Sequence, residues 1–194
     1  MPPHHTQVNL HGRTWLATLH PASVWAFALT AVLLLGSALP GLRFFASPAN
    51  YLPWHTALEF AAMAVSAMVF MLAWNLRNQP NSGNIMLLGV GFLAVGLIDF
   101  GHTLSYPGMP DLVTPSGTEK AINFWLAARY VAAAVFLGAA LLPTAQRTAG
   151  GFVGATAVAI GLAVAVWWLE LSHADGLPRT FIAGQVLTAF KIGA

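Results

Sequence analysis

The sequence contains no cysteine, and only 7% of its 194 residues are charged. Without cysteine there is no disulfide framework, no thiolate ligand for zinc or an iron–sulfur cluster, and no cysteine nucleophile. Any metal or haem must therefore be held by His, Met or carboxylate. A soluble domain carries about 25% charged residues, so this chain has too little charge to wet a globular surface of its size. Basic runs are missing as well: the eight Lys and Arg stand singly, and the isoelectric point near 9.4 reflects scarcity of charge rather than abundance of base. A nucleic-acid interface is excluded on that ground. What is present is apolar, 57% hydrophobic with a mean hydropathy of +0.69, and the solvent of such a chain is lipid.

A bilayer core of about 30 Å is crossed by roughly 20 apolar residues in a helix, and five segments qualify, at about 22–43, 52–76, 84–106, 119–142 and 150–171. Their ends carry stop and start signals. Ser23 is placed to cap the first segment, and Pro53 falls in the first turn of the second. Pro107-Gly108 stops the third, and Ser116-Gly-Thr-Glu119 reads as a capping box for the fourth. Pro143 ends the fourth and Gly150-Gly151 opens the fifth. A sixth apolar segment starts near Phe181 with only about 14 residues left, roughly 21 Å of helix, too short to span. The predicted fold is all-α: a polytopic bundle of five full transmembrane helices plus a truncated sixth. Residues 1–21 are expected to form a polar leader, and 22–194 a membrane-embedded domain that is cut at its C-terminus.

With the N-terminus inside, Arg13, Arg77 and Arg147 fall on the inner side and Arg43, Lys120 and Arg179 on the outer, which is a tie by the positive-inside rule. All acidic residues lie toward the side of the 46–52, 107–118 and 172–180 loops, which favours a cytoplasmic N-terminus. Ala/Gly-rich runs such as Val131 to Ala140 read as small-residue packing faces.

Ionisable side chains inside a span cost several kcal/mol unless paired or hydrated, so their positions are informative. They are His55 and Glu59 on the second predicted helix, Asp99 and His102 on the third, Arg129 on the fourth and Lys191 on the sixth. His55/Glu59 and Trp125/Arg129 are spaced i,i+4, Asp99/His102 i,i+3 and His102/Tyr106 i,i+4, so each helix presents one polar stripe. Counted from the outer ends, these groups lie about 4 to 15 Å deep. Glu59 and Asp99 can be neutralised by Arg129 and Lys191, leaving His55 and His102 as adjustable members of a pocket bordered by Tyr106 and Trp125. The alternative is a buried ion-pair network that only fixes helix packing.

His55, Glu59 and His102 also supply two imidazoles and a carboxylate, a donor set suited to zinc, copper or iron. Bis-histidine haem on His55 and His102 is a variant that needs an apolar slot between the two helices. Tyr51, Trp54, Tyr106, Trp125, Trp167 and Trp168 fall near helix ends, as an aromatic belt requires. Met63, Met68, Met71 and Met86 read as core filler.

The strings Trp54-His55-Thr-Ala-Leu-Glu59, Asp99-Phe-Gly-His102-Thr-Leu-Ser-Tyr106-Pro-Gly108-Met109, Asn123-Phe-Trp125-Leu-Ala-Ala-Arg129-Tyr130 and Gly184-Gln-Val-Leu-Thr188-Ala-Phe190-Lys191 together resemble the MASE3 membrane-associated sensor domain, in order and spacing, over roughly residues 20–192. The resemblance implies a sensory input domain of bacterial and archaeal signalling proteins, set in the cytoplasmic membrane and followed by a histidine kinase or diguanylate cyclase. The partners it implies are the lipid bilayer, a small ligand, a C-terminal output module and a second copy in a homodimer.

Three functional classes compete. A sensor would bind a small ligand or metal, or sense pH, at the outer-leaflet cluster His55, Glu59, Asp99, His102, Tyr106, Trp125, Arg129 and Lys191. A proton or solute transporter would need polar residues continuing toward the inner face, where these helices are almost purely apolar. An intramembrane enzyme would need an H-E-x-x-H helix or a positioned nucleophile, and neither is present, so no catalytic residue is assigned.

Overall fold

The computed structural model describes residues 21–38, 48–79, 82–141 and 149–182. The described residues divide into two units, one before and one after residue 46. In the first, α1 runs Pro21–Ala38. Its start at Pro21 places Ser23 inside the helix rather than at its cap. Side chains such as Trp25, Phe27 and Leu33 are about 70% exposed, as lipid-facing residues are. The rest of the first predicted span, like the polar leader through residue 20, lies outside the described residues.

The second unit contains α2 (Pro48–Leu76), α3 (Gly83–Ser105), α4 (Thr118–Leu141) and α5 (Ala149–Ser172), with a 3-10 turn at Ala174–Gly176. These four helices are long and apolar enough to cross a membrane, and no strand occurs among the described residues. The expectation of five full spans is thus met for four, and the sixth segment lies outside the described residues from position 183 onward.

The apolar helix α3 is the axis: α2, α4 and α5 all pack on it, and 56% of its most apolar stretch is buried, against 11% to 17% in the other three. Small residues make this possible. A Cβ on Gly89 would collide with the Ala73 Cβ of α2, and one on Gly101 would lie 2.6 Å from the Phe124 ring of α4. Two apolar clusters fill the bundle, one around Ala73, Met86, Val90, Ala94 and Phe152 and the other around Val95, Ile98, Phe124, Ala128 and Ala163. Large apolar side chains elsewhere point outward, among them Leu58, Met68, Leu72, Leu137, Val158 and Val164.

Two local expectations are corrected. The helix containing Pro53 begins at Pro48, so this proline sits within the helix and not in its first turn. Ser116 does not cap α4: its hydroxyl donates to the carbonyls of Leu104 (3.3 Å) and Pro110 (3.1 Å). Gly117 takes the capping place instead, accepting from the Ala121 N–H at 3.1 Å.

Residues 106–117 form an ordered connection. Lys120 Nζ donates to the carbonyls of Leu112 and Thr114 at 2.9 and 3.1 Å, and Asp111 accepts the Ser116 N–H at 2.8 Å. Between the two carbonyls held by Lys120, Val113 adopts a left-handed φ of 62°, costly for a β-branched residue.

Candidate functional site

Antiparallel packing brings the start of α2, the end of α3 and the start of α4 to one end of the bundle. There the i,i+4 pair of α2 meets His102 of α3. Glu59 Oε1 lies 3.9 Å from His55 Nδ1 and 3.8 Å from His102 Nε2. All three side chains are largely buried, and one donor atom from each falls within 4.8 Å of the others.

The roles of the His102 nitrogens follow from its neighbours. Nδ1 is 2.8 Å from the Ala121 carbonyl, which can only accept, so Nδ1 carries a hydrogen and donates. In the neutral ring the Nε2 lone pair is then directed at Glu59. His55 has no short partner: Nε2 is buried without a hydrogen bond, and the Tyr51 hydroxyl stands 3.4 Å from Nδ1. Aromatic rings wall the cluster. Tyr106 lies 4.2 Å from His55 between centroids, and Tyr51 stacks on His55 at 5.4 Å. Tyr106 sits just past the end of α3; burial, then the adjacent Tyr51, raises its hydroxyl above the usual phenol range, which keeps it a proton-bearing donor.

Asp99 and Arg129 form the expected ion pair between α3 and α4. Arg129 also sits 5.8 Å above the Trp125 ring, as the i,i+4 spacing anticipates. Asp99 Oδ1 is buried without a partner. A cleft of about 350 Å³ opens beside this pair, with Glu59, Ser66, Asp99 and Arg129 among a mostly apolar lining that includes Val65, Phe92 and Val95. Glu59 therefore faces the histidines on one side and the cleft on the other.

Of the residues singled out from sequence, His55, Glu59, His102 and Tyr106 form one group and Asp99, Trp125 and Arg129 another, with Glu59 also lining the cleft beside the second. Lys191 lies outside the described residues. The His55 and His102 rings meet edge to face at 5.5 Å with Glu59 against both, which leaves no slot for a planar macrocycle and sets bis-histidine haem aside.

Sequence reasoning missed three contributors. The Ala121 carbonyl carries no side-chain signal. Tyr51 read only as belt. Glu170, inside the fifth predicted span, was a detectable signal: it is buried and accepts from Asn123 Nδ2 at 3.3 Å, while Thr180 donates to Asn123 Oδ1 at 2.6 Å. Asn123 and Glu170 line a second cleft of about 610 Å³, whose walls include Glu119, Lys120 and Arg179.

A family model described as a membrane-associated sensor domain, MASE3, matches residues 46–194. The resemblance drawn over residues 20–192 is thus met from residue 46 onward. No curated protein and no solved structure matches the chain.

Proposed function

The chain belongs to the MASE3 family of membrane-associated sensor domains, and from that premise we propose that it is the sensory input element of a bacterial or archaeal signalling protein, receiving its stimulus as a small ligand or ion at the His55–Glu59–His102 cluster and the adjoining Asp99–Arg129 cleft. A sensor domain is not itself catalytic. The observation that supports this reading best is the convergence of scarce polar side chains from three apolar helices on one end of the bundle, with buried polar atoms left unpartnered on His55 and Asp99.

The proposed transmission runs through α3. This helix carries both Asp99 and His102 and touches α2, α4 and α5, so a change at the cluster alters packing against every neighbour at once. A ligand shifts such an equilibrium only by its difference in affinity for the two arrangements, with about 1.4 kcal/mol for each tenfold change in population. The output module, a histidine kinase or diguanylate cyclase, would read that shift at the cytoplasmic side.

Transport receives no support from the bundle. Beyond the cleft, Ala73, Met86, Val90, Ala94 and Phe152 close it with apolar packing, whereas a conduction path needs polar groups through the full depth.

In the signalling protein carrying this domain, His55→Ala and His102→Asn are expected to abolish the stimulus-dependent change in output activity while leaving membrane insertion intact. Unchanged stimulus responses in both variants would remove the pocket from the signalling role.

A further inference from the structure

We infer that His55, Glu59 and His102 bind a borderline divalent transition-metal ion of the zinc, cobalt and copper class, with a fourth coordination position open. This deepens the sensor reading and rests on it for the signalling consequence alone; the binding chemistry stands on the geometry.

The argument starts from an unfavourable juxtaposition. The Ala121 carbonyl fixes the hydrogen of His102 on Nδ1, so the neutral ring directs an Nε2 lone pair at a carboxylate oxygen 3.8 Å away. Two acceptors facing each other in a largely buried site repel unless a cation lies between them. A proton does not fill this gap well, since N–H···O bonds span about 2.7–3.2 Å. A metal does. Two donors bonded at about 2.0–2.1 Å to one ion are about 3.3 Å apart at a tetrahedral angle and about 4.1 Å apart when opposed. The Glu59 contacts of 3.8 Å to His102 and 3.9 Å to His55 lie between these limits.

The surroundings agree. Donation of the far ring nitrogen to a backbone carbonyl is the usual support of a metal-binding imidazole, since it orients the ring and raises its basicity. His55 would ligate through Nδ1, the nitrogen 3.9 Å from Glu59, and would give up only the long 3.4 Å contact with the Tyr51 hydroxyl. Asp99 is already paired with Arg129, which leaves Glu59 as the carboxylate for the ion. Two imidazoles and one carboxylate without thiolate favour zinc, cobalt or copper over the hard ions magnesium and calcium, which take oxygen ligands.

The test uses the chain purified in detergent micelles, stripped with a chelator and titrated with Co2+. The expected result is one Co2+ per chain, a visible d–d band that Zn2+ displaces, and no displacement by Mg2+. His102→Asn keeps an N–H in reach of the Ala121 carbonyl while deleting Nε2, so it preserves the fold and is expected to weaken binding at least about tenfold, as is His55→Ala. His173→Ala, outside the cluster, should leave the titration unchanged. Failure of the folded chain to bind Co2+ above a detergent blank, or unchanged affinity in folded His102→Asn, overturns the metal assignment. Should that happen while His55→Ala still abolishes signalling in the whole protein, the sensory pocket stands with a non-metal ligand. The reverse pattern, metal bound but signalling intact, would break the sensory role and leave the site.

Discussion

Asp99 and Arg129 share an ion pair on unequal terms, because the Asp99 side chain is 6% exposed and that of Arg129 is 44% exposed. Removing the arginine strands a carboxylate inside the bundle; removing the charge of the aspartate leaves a cation that still reaches the cleft. Arg129→Ala is therefore expected to destabilise the folded chain by about 3–5 kcal/mol. Asp99→Asn leaves that cation unpaired within the span but still in reach of the cleft and of the amide oxygen, and should cost less, about 2–3 kcal/mol. Denaturant titration in micelles measures both, and the double substitution should recover most of the Arg129→Ala loss. At this scale much of the site was legible, since an ionisable residue inside an apolar span is conspicuous and helical spacing assigns its face. The Ala121 carbonyl that sets the His102 tautomer was not legible, because a backbone group has no signature in composition or periodicity. The same holds for the unusual φ of Val113, which lies between the two carbonyls that accept from Lys120.

Among the elements, α3 shows how small residues position the site. Gly101 stands between Asp99 and His102, and its missing side chain lets the fully buried Phe124 ring approach to where a Cβ would be 2.6 Å from it. Gly101→Ala should overpack this contact and cost about 1–3 kcal/mol. Gly161 on α5 has nothing within 4 Å of its would-be Cβ, so Gly161→Ala should be neutral or stabilising by roughly 0.5–1 kcal/mol. Paired thermal unfolding curves of the two variants separate packing from simple helix propensity. Helix existence was readable from hydropathy, and the ends of α3 and α4 and the start of α5 from proline and glycine. The start of α2 was not, because Pro53 marks a helix start by sequence and is carried inside a longer helix that begins at Pro48. The capping box at Ser116 also failed, for a tertiary reason: the hydroxyl is drawn to the Leu104 and Pro110 carbonyls of the connection that α4 follows.

For the membrane-spanning bundle as a whole, what matters is which compartment the polar end faces, since the proposed ligand would reach Glu59 and the histidines from there. The connection holding Val113 lies at that end, together with Ala174 after α5, and Gln79 between α2 and α3 lies at the other. An N-terminus in the cytoplasm puts the Val113 side outside the cell, even though the basic residues alone leave the choice balanced. The absence of cysteine makes this directly measurable, because any introduced thiol is the sole one in the chain. Val113 is 81% exposed, so Val113→Cys presents its thiol freely. In intact cells a membrane-impermeant maleimide is expected to label Val113→Cys and Ala174→Cys but not Gln79→Cys, which should react only after the membrane is opened. The opposite pattern would turn the polar end toward the cytoplasm. The cluster would then sample intracellular rather than external ions, and its signal would have to reach the output module without crossing the bilayer.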